Sequence, residues 1–350
     1  MDSVVPAGPA PALAPAPAPQ GAPARQVIVA VFDGVELLDV TGPAEVFSVA
    51  DRLRTPGSPG YVVRLAAVRR GPVRTSSGVR LVADVGFGAP MGAVDTAIVP
   101  GGITPQTAGS LPIVEPAVVG WVARRSAAWR RVASVCAGAH MLAAAGLLDG
   151  RPATTHWFTA GRLAAEFPAV AVDPDPIFIR SGRIWTCAGV SAGMDLALAM
   201  VAEDHGDQLA REVARWMVMY LRRPGGQSQF SAPLAPAAPR TDRIRDAIAW
   251  IVEHPGRDLS VPALARHAHL SERHFARLFA REAATTPAAY VETVRVEAVR
   301  RALEETDDTL DVVAARCGFT SVETLHRVFR RRLTVIPDDY RRRFRLPSAG

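Results

Sequence analysis

Cys136 stands where the strand-like segment Arg131–Val135 meets Ala137-Gly138 and then a helical stretch, Ala139–Leu147. A strand that runs straight into a helix puts the junction residue on a sharp turn at the carboxyl edge of a sheet. A helix N-terminus at that point lowers a thiol pKa. A second strand-like segment, Thr96–Val99, ends in Pro100-Gly101-Gly102, and the amides of this turn could join that of Ala137 as oxyanion-type donors. His156, in Thr154-Thr155-His156-Trp157, is a candidate base or hydrogen-bond partner, and Asp39 could bring a carboxylate beside the thiol. These residues together would make an activated nucleophile. The alternative is a small buried core cysteine with a structural histidine.

The other chemistry-bearing pattern is a repeat. Residues 264–290 reappear at 314–340 with an offset of fifty and no change of register. Ala265, Arg266, Ser271, Arg277, Phe279, Arg281, Pro287 and Tyr290 are matched by Ala315, Arg316, Ser321, Arg327, Phe329, Arg331, Pro337 and Tyr340. Chance would give roughly two or three identities in an Ala- and Arg-rich chain. Each copy reads as a short helix, a tight turn and an Arg-bearing helix, the plan of a helix-turn-helix that enters a major groove.

In the first copy Ser260 and Ser271 cap the two helices, and Leu264, Ala265, Ala268, Phe275, Leu278 and Phe279 face inward. Glu272, Arg273, His274 and Arg277 are left to reach DNA. In the second copy Ala315 takes the small-residue position, Gly318 makes the turn and Thr320 with Glu323 forms a capping box. Leu325, Val328 and Phe329 turn inward there, leaving Val322, Glu323, Thr324 and Arg327 for DNA. The expected partner is double-stranded DNA.

Elements that would position these residues are legible along the chain. Val27–Phe32, Tyr61–Ala67, Thr96–Val99 and Arg131–Val135 read as strands, with helices from Thr41 to Leu53 and from Val114 to Ser126 between them. That alternation predicts a mostly parallel sheet covered on both faces. Residues 1–25 are an Ala/Pro-rich leader expected to be disordered, 26–221 an α/β domain, 222–240 a Gly/Pro linker and 241–345 an all-helical domain.

Charge is uneven across this plan. Residues 1–239 hold 20 Arg and 18 acids, whereas 240–350 hold 20 Arg and 16 acids, and 327–350 alone hold 8 Arg against 2 acids. A basic C-terminal end suits phosphate contact. All 40 basic residues are Arg, which a GC-rich genome explains without reference to function. Cys136, Cys187 and Cys317 are too few and too far apart for a disulfide framework or a zinc site, so no metal or cofactor is expected. No apolar run approaches a membrane span, and a cytoplasmic protein is expected.

Two family resemblances follow from these residues. Roughly residues 240–345 resemble the AraC/XylS family, on Ala315-Arg316-Cys317-Gly318-Phe319, Arg327-Val328-Phe329-Arg330-Arg331, Pro337 and Tyr340-Arg341. That resemblance implies two helix-turn-helix units joined by one long helix, Ala288–Glu305. Ala284 and Thr334 stand where the family often has Gly.

Residues 26–205 look like the ThiJ/PfpI-like superfamily, a flavodoxin-like fold related to class I glutamine amidotransferases. The matching pieces are Phe32-Asp33-Gly34 through Asp39, Val99-Pro100-Gly101-Gly102, the Cys136 turn, Gly146 through Arg151 and Ala188 through Asp195. This likeness implies Cys136 as elbow nucleophile, Asp39 as its acidic neighbour and Gly102 as oxyanion donor. In this order, with Gly225-Gly226-Gln227 between, the two resemble the GlxA-type regulators.

The expected function is a transcription regulator, not an enzyme, whose N-terminal domain senses an unidentified small molecule or mediates homodimerisation. RNA polymerase is a further candidate partner. The alternative is an active hydrolase, hydratase or glyoxalase tethered to DNA.

Overall fold

A computed structural model describes residues 23–104, 111–221, 226–227, 241–283 and 285–344. Most of the leader, most of the 222–240 segment and Ala284 lie outside the described residues. The first unit runs β1 (Arg25–Ala30), α1 (Leu37–Leu53), β2 (Tyr61–Ala67), β3 (Gly71–Arg74), β4 (Arg80–Ala83), β5 (Val85–Gly86), β6 (Thr96–Val99), α2 (Pro116–Arg125) and β7 (Arg131–Val135). It continues with α3 (Gly138–Ala144), β8 (Pro152–Ala153), α4 (Trp157–Glu166), β9 (Ala171–Val172), β10 (Phe178–Ser181), β11 (Ile184–Cys187), α5 (Ala192–His205) and α6 (Asp207–Trp216).

Seven strands form one sheet in the order β10-β11-β7-β6-β1-β2-β5, parallel except where β10 meets β11. β6 and β7 are buried at every position, including the polar Thr96, Arg131 and Ser134, so neither shows the in-out alternation of a half-buried strand. The chain leaves β1 toward β2 on one side and returns to β6 on the other. Strand order therefore reverses beside β1, and the carboxyl ends of β1, β6 and β7 lie at one edge of the sheet, the place where such sheets build their sites. α1 and α5 cover this edge in close contact, and a Cβ on Gly42 would stand 2.9 Å from Met194 Cγ.

The second unit is helical: α7 (Asp242–Glu253), α8 (Val261–His267), α9 (Glu272–Ala283), α10 (Pro287–Glu305), α11 (Leu310–Arg316), α12 (Val322–Leu333) and α13 (Pro337–Phe344). It has two separate cores that share α10. Val291 and Val294 pack with α7–α9, while Val296, Val299, Ala302 and Leu303 pack with α11–α13. Phe279 meets Tyr290 in one core as Phe329 meets Tyr340 in the other, each pair with ring centroids 5.5 Å apart. No helix among the described residues is long and apolar enough to cross a membrane.

The repeat differs from its sequence reading in one respect: the register changes inside the second turn. Leu264, Ala265 and Ala268 are buried in the first copy, and Val313, Ala314 and Cys317 in the second, each pair forty-nine residues apart. Leu270 donates its N–H to Ala265 O and Phe319 donates to Ala314 O, both at 2.9 Å. From Ser271 and Ser321 onward the offset is fifty, so the second turn holds one extra residue, Thr320. Ala315 and Arg316 are exposed on α11 and do not stand where Ala265 and Arg266 stand. The cap of α12 is Ser321, whose hydroxyl accepts from Thr324 N at 3.2 Å, and not a Thr320–Glu323 box.

Candidate functional site

Cys136 has φ of 57°, a left-handed conformation that a non-glycine residue rarely adopts. This is the strained turn of a nucleophile elbow, with β7 on one side and α3 on the other. Its surroundings leave no room for relaxation. A Cβ on Gly189 would lie 2.8 Å from Cys136 Sγ, and one on Gly138 would lie 2.0 Å from Val99 O. The Cys136 amide donates to Cys187 O at 3.2 Å, and the hydroxyl of Thr155 donates to Cys136 O at 2.8 Å.

Asp39, in the first turn of α1, is completely buried. One carboxylate oxygen accepts from Gly101 N at 2.9 Å and the other from Val190 N at 2.8 Å. Burial pushes its pKa up to about 7, against the opposing pull of those two amides and of a hydrogen bond to Cys136. The Cys136 thiol, 2% exposed, is driven well above its ordinary range by burial and by the Asp39 charge. The Ala137 amide pulls the other way but does not offset them. The expectation of a thiol lowered by a helix terminus is therefore overturned. α3 has only seven residues, and burial is the largest cause of the rise.

The fold thus gathers Cys136, Asp39 and Ala137 at one point. Gly102 pairs with Val35 in an antiparallel bridge and accepts from Ile113 N at 2.8 Å, while its neighbour Gly101 supplies the amide to Asp39. His156 caps α4, its Nδ1 accepting from Phe158 N at 3.3 Å, and burial lowers its pKa. The group that reaches the elbow from this loop is Thr155. A hydroxyl two residues into a Thr-Thr pair carries no sequence signal for that contact. Among the described residues no cluster of His, Cys, Asp and Glu could hold a metal ion.

In the helical unit each reading helix begins on a side-chain cap, Ser271 Oγ accepting from His274 N and Ser321 Oγ from Thr324 N. Glu272, Arg273, His274 and Arg277 are all exposed on α9. On α12 Glu323 and Arg327 are exposed, but Val322 packs against the second core and Thr324 is half-buried. The exposed start of α12 is therefore narrower than that of α9, and His326 and Arg330 share a shallow groove with Glu323 and Arg327. A spacing of three residues, from Glu323 to His326 and from Arg327 to Arg330, was the available signal for these two.

A staple fixes the two copies to each other. Arg295, on α10, donates from Nε to Pro255 O and from Nη2 to Arg257 O, each at 3.0 Å. The loop it holds lies against the second turn, where a Cβ on Gly318 would be 2.5 Å from Pro255 O. Arg295→Ala is expected to destabilise the helical unit by about 1.5–3 kcal/mol, the usual cost of losing hydrogen bonds from a charged donor. Amide exchange of the full chain across a denaturant series, read over residues 242–344, checks this, and an unchanged midpoint there would contradict it.

An elbow-bearing α/β unit followed by two recognition helices held on a shared spine defines a two-part DNA-binding regulator. Residues 25–203 match the DJ-1/PfpI family and residues 264–343 a helix-turn-helix domain family. The HTH-type transcriptional regulator Rv1931c of Mycobacterium tuberculosis is 34% identical over 274 residues, covering 74% of this chain and 98% of that protein. The HTH-type transcriptional regulator GlxA of Rhizobium meliloti is 33% identical over 222 residues, covering 61% and 65%. The isonitrile hydratase of Pseudomonas putida is 30% identical over 259 residues, covering 73% and 98%. The chain belongs to the DJ-1/PfpI family, in the form fused to an AraC-type helix-turn-helix domain, and is a DNA-binding transcription regulator.

Proposed function

We propose that the α/β unit is the sensor of this regulator, taking a small-molecule effector at the elbow and passing the result to the DNA-reading helices. The observation that carries this reading is the state of the elbow. Its backbone strain and its buried carboxylate are in place, yet its thiol is enclosed and held protonated. A site built in this way responds to an occupant that shifts the Asp39–Cys136 pair, and needs no turnover to do so. The regulator acts in the cytoplasm as a homodimer through the α/β unit, a reading supported by exposed Val79 and Val82 on the β3–β4 hairpin. Contact with RNA polymerase at the promoter completes this reading.

The test begins with promoter DNA recovered with the full-length protein, because genes beside it name candidate effectors. One of those metabolites should change the affinity of the wild-type chain for that DNA, and Cys136→Ser should abolish or mimic the change. A Cys136→Ser protein that still responded fully would remove the elbow from sensing.

The second reading, an active enzyme on DNA, is favoured by the 30% identity to a protein named isonitrile hydratase. Turnover of an isonitrile, aldehyde or amide that is lost in Cys136→Ser would establish it. Affinity changes without turnover would leave the sensor.

A further inference from the structure

Gln227 comes from the segment between the two units and is only 3% exposed. Its Nε2 donates to Thr155 O at 2.9 Å, to Thr154 Oγ1 at 3.1 Å and to Pro176 O at 3.3 Å, and its Oε1 accepts from Trp157 N at 2.8 Å. Its backbone N–H donates to Asp175 O at 2.7 Å. The side-chain amide is thus saturated by Pro176 and by the loop 154–157, whose Thr155 hydroxyl bonds the carbonyl of Cys136. A buried amide with this many partners follows the loop that holds it, because leaving any of them unpaired is costly.

The neighbouring residue reaches the other unit. Gly226 donates its N–H to Thr334 Oγ1 at 3.0 Å, and Thr334 is the C-cap of α12, the second reading helix. Gly226 lies so close to Asp175 that a Cβ would stand 2.4 Å from its carboxylate. Thr334 has φ of 59°, a conformation that a β-branched residue adopts only at a cost and glycine adopts freely. What threonine supplies at this position and glycine lacks is the hydroxyl that receives the Gly226 amide. The contacts therefore form one line: Cys136 carbonyl, Thr155, Gln227, Gly226, Thr334, α12.

We propose that Gly226 and Gln227 are the coupler of this regulator, through which a change at the elbow alters the seating of the second reading helix. This rests on the sensing reading above and names its route. A displacement of the 154–157 loop moves Gln227, and Gly226, bonded to it in the chain, makes or breaks the bond to Thr334. Coupling of this kind is expected to change DNA affinity by about fivefold or more.

The test uses the full-length chain and a duplex selected by it from a random-sequence pool, with affinity read by fluorescence anisotropy and amide exchange by mass spectrometry. In the parent chain, Asp39→Asn and Thr155→Val perturb the elbow and should shift affinity by about fivefold or more. Gln227→Ala should speed exchange across residues 330–336, and in that background the elbow substitutions should shift affinity by less than about twofold. Thr334→Gly should have the same uncoupling effect. It keeps the test decisive if Gln227→Ala loosens the α/β unit, because Thr334 is exposed and glycine suits its backbone.

Elbow substitutions that shift affinity equally in the parent, Gln227→Ala and Thr334→Gly backgrounds would overturn the coupler and leave the sensor standing. Elbow substitutions without effect in the parent would remove the sensing reading, and the coupler with it.

Discussion

Arg277→Ala is expected to weaken binding to a selected operator by about 1–3 kcal/mol, roughly five- to 150-fold, with a much smaller loss on random duplex. Arg277 is exposed on α9, and Arg327 occupies the matching place on α12 fifty residues later. Neither has an ion-pair partner among the described residues, whereas Arg331 and Arg332 are engaged by Glu292 and Arg281 lies 3.5 Å from Glu282. A guanidinium left free in the N-terminal half of a recognition helix is placed to make a bidentate contact to guanine.

Arg327→Ala should behave similarly, but the relaxed base position should lie in the other half of the site, about one helical turn away. The two halves need not read alike, because Arg273 in the first helix is replaced by Glu323 in the second. Selection from a random pool with each variant, read by sequencing, measures both effects. Equal losses on selected and random DNA would reduce both arginines to phosphate contacts.

The boundaries of α10 were legible because Thr286 caps it, Pro287 suits its first turn and its apolar residues keep helical spacing. The elbow was legible because a fully buried strand, a lone cysteine and a small-residue turn follow one another without a gap. The register change in the second turn was hidden by composition. In an Ala- and Arg-rich chain, Ala315 and Arg316 match Ala265 and Arg266 by coincidence, while the pairs that share a structural role are Leu264/Val313 and Ser260/Thr309. Gln227 looked like part of a polar linker, because burial of a polar side chain is decided by partners seventy residues away. The thiol was misjudged because helix position is local, and the desolvation that outweighs it is set by the assembled sheet and by Gly189.

Stability should expose the buried carboxylate directly. Asp39 titrates near 7 in the folded chain and has an ordinary value of 3.8. Between these values the native state holds a proton that the unfolded state has released, so stability falls as pH rises from about 4 through 7. Below pH 4 both states are protonated and the penalty vanishes. A shift of about three pKa units corresponds to a loss on the order of 4 kcal/mol above pH 7.

Asp39→Asn removes this slope. It introduces a pH-independent cost of about 1–3 kcal/mol, because an amide cannot accept from both Gly101 and Val190. The variant should therefore be less stable than the parent at pH 4 and should draw level with it or overtake it by pH 8. Chemical denaturation followed by tryptophan fluorescence measures this, since five of the six tryptophans lie in the α/β unit. The same substitution removes the charge that raises the Cys136 thiol, so alkylation of Cys136 at pH 8 should accelerate. Parallel stability curves for parent and variant across this range would show that Asp39 ionises freely and that the elbow holds no proton in reserve.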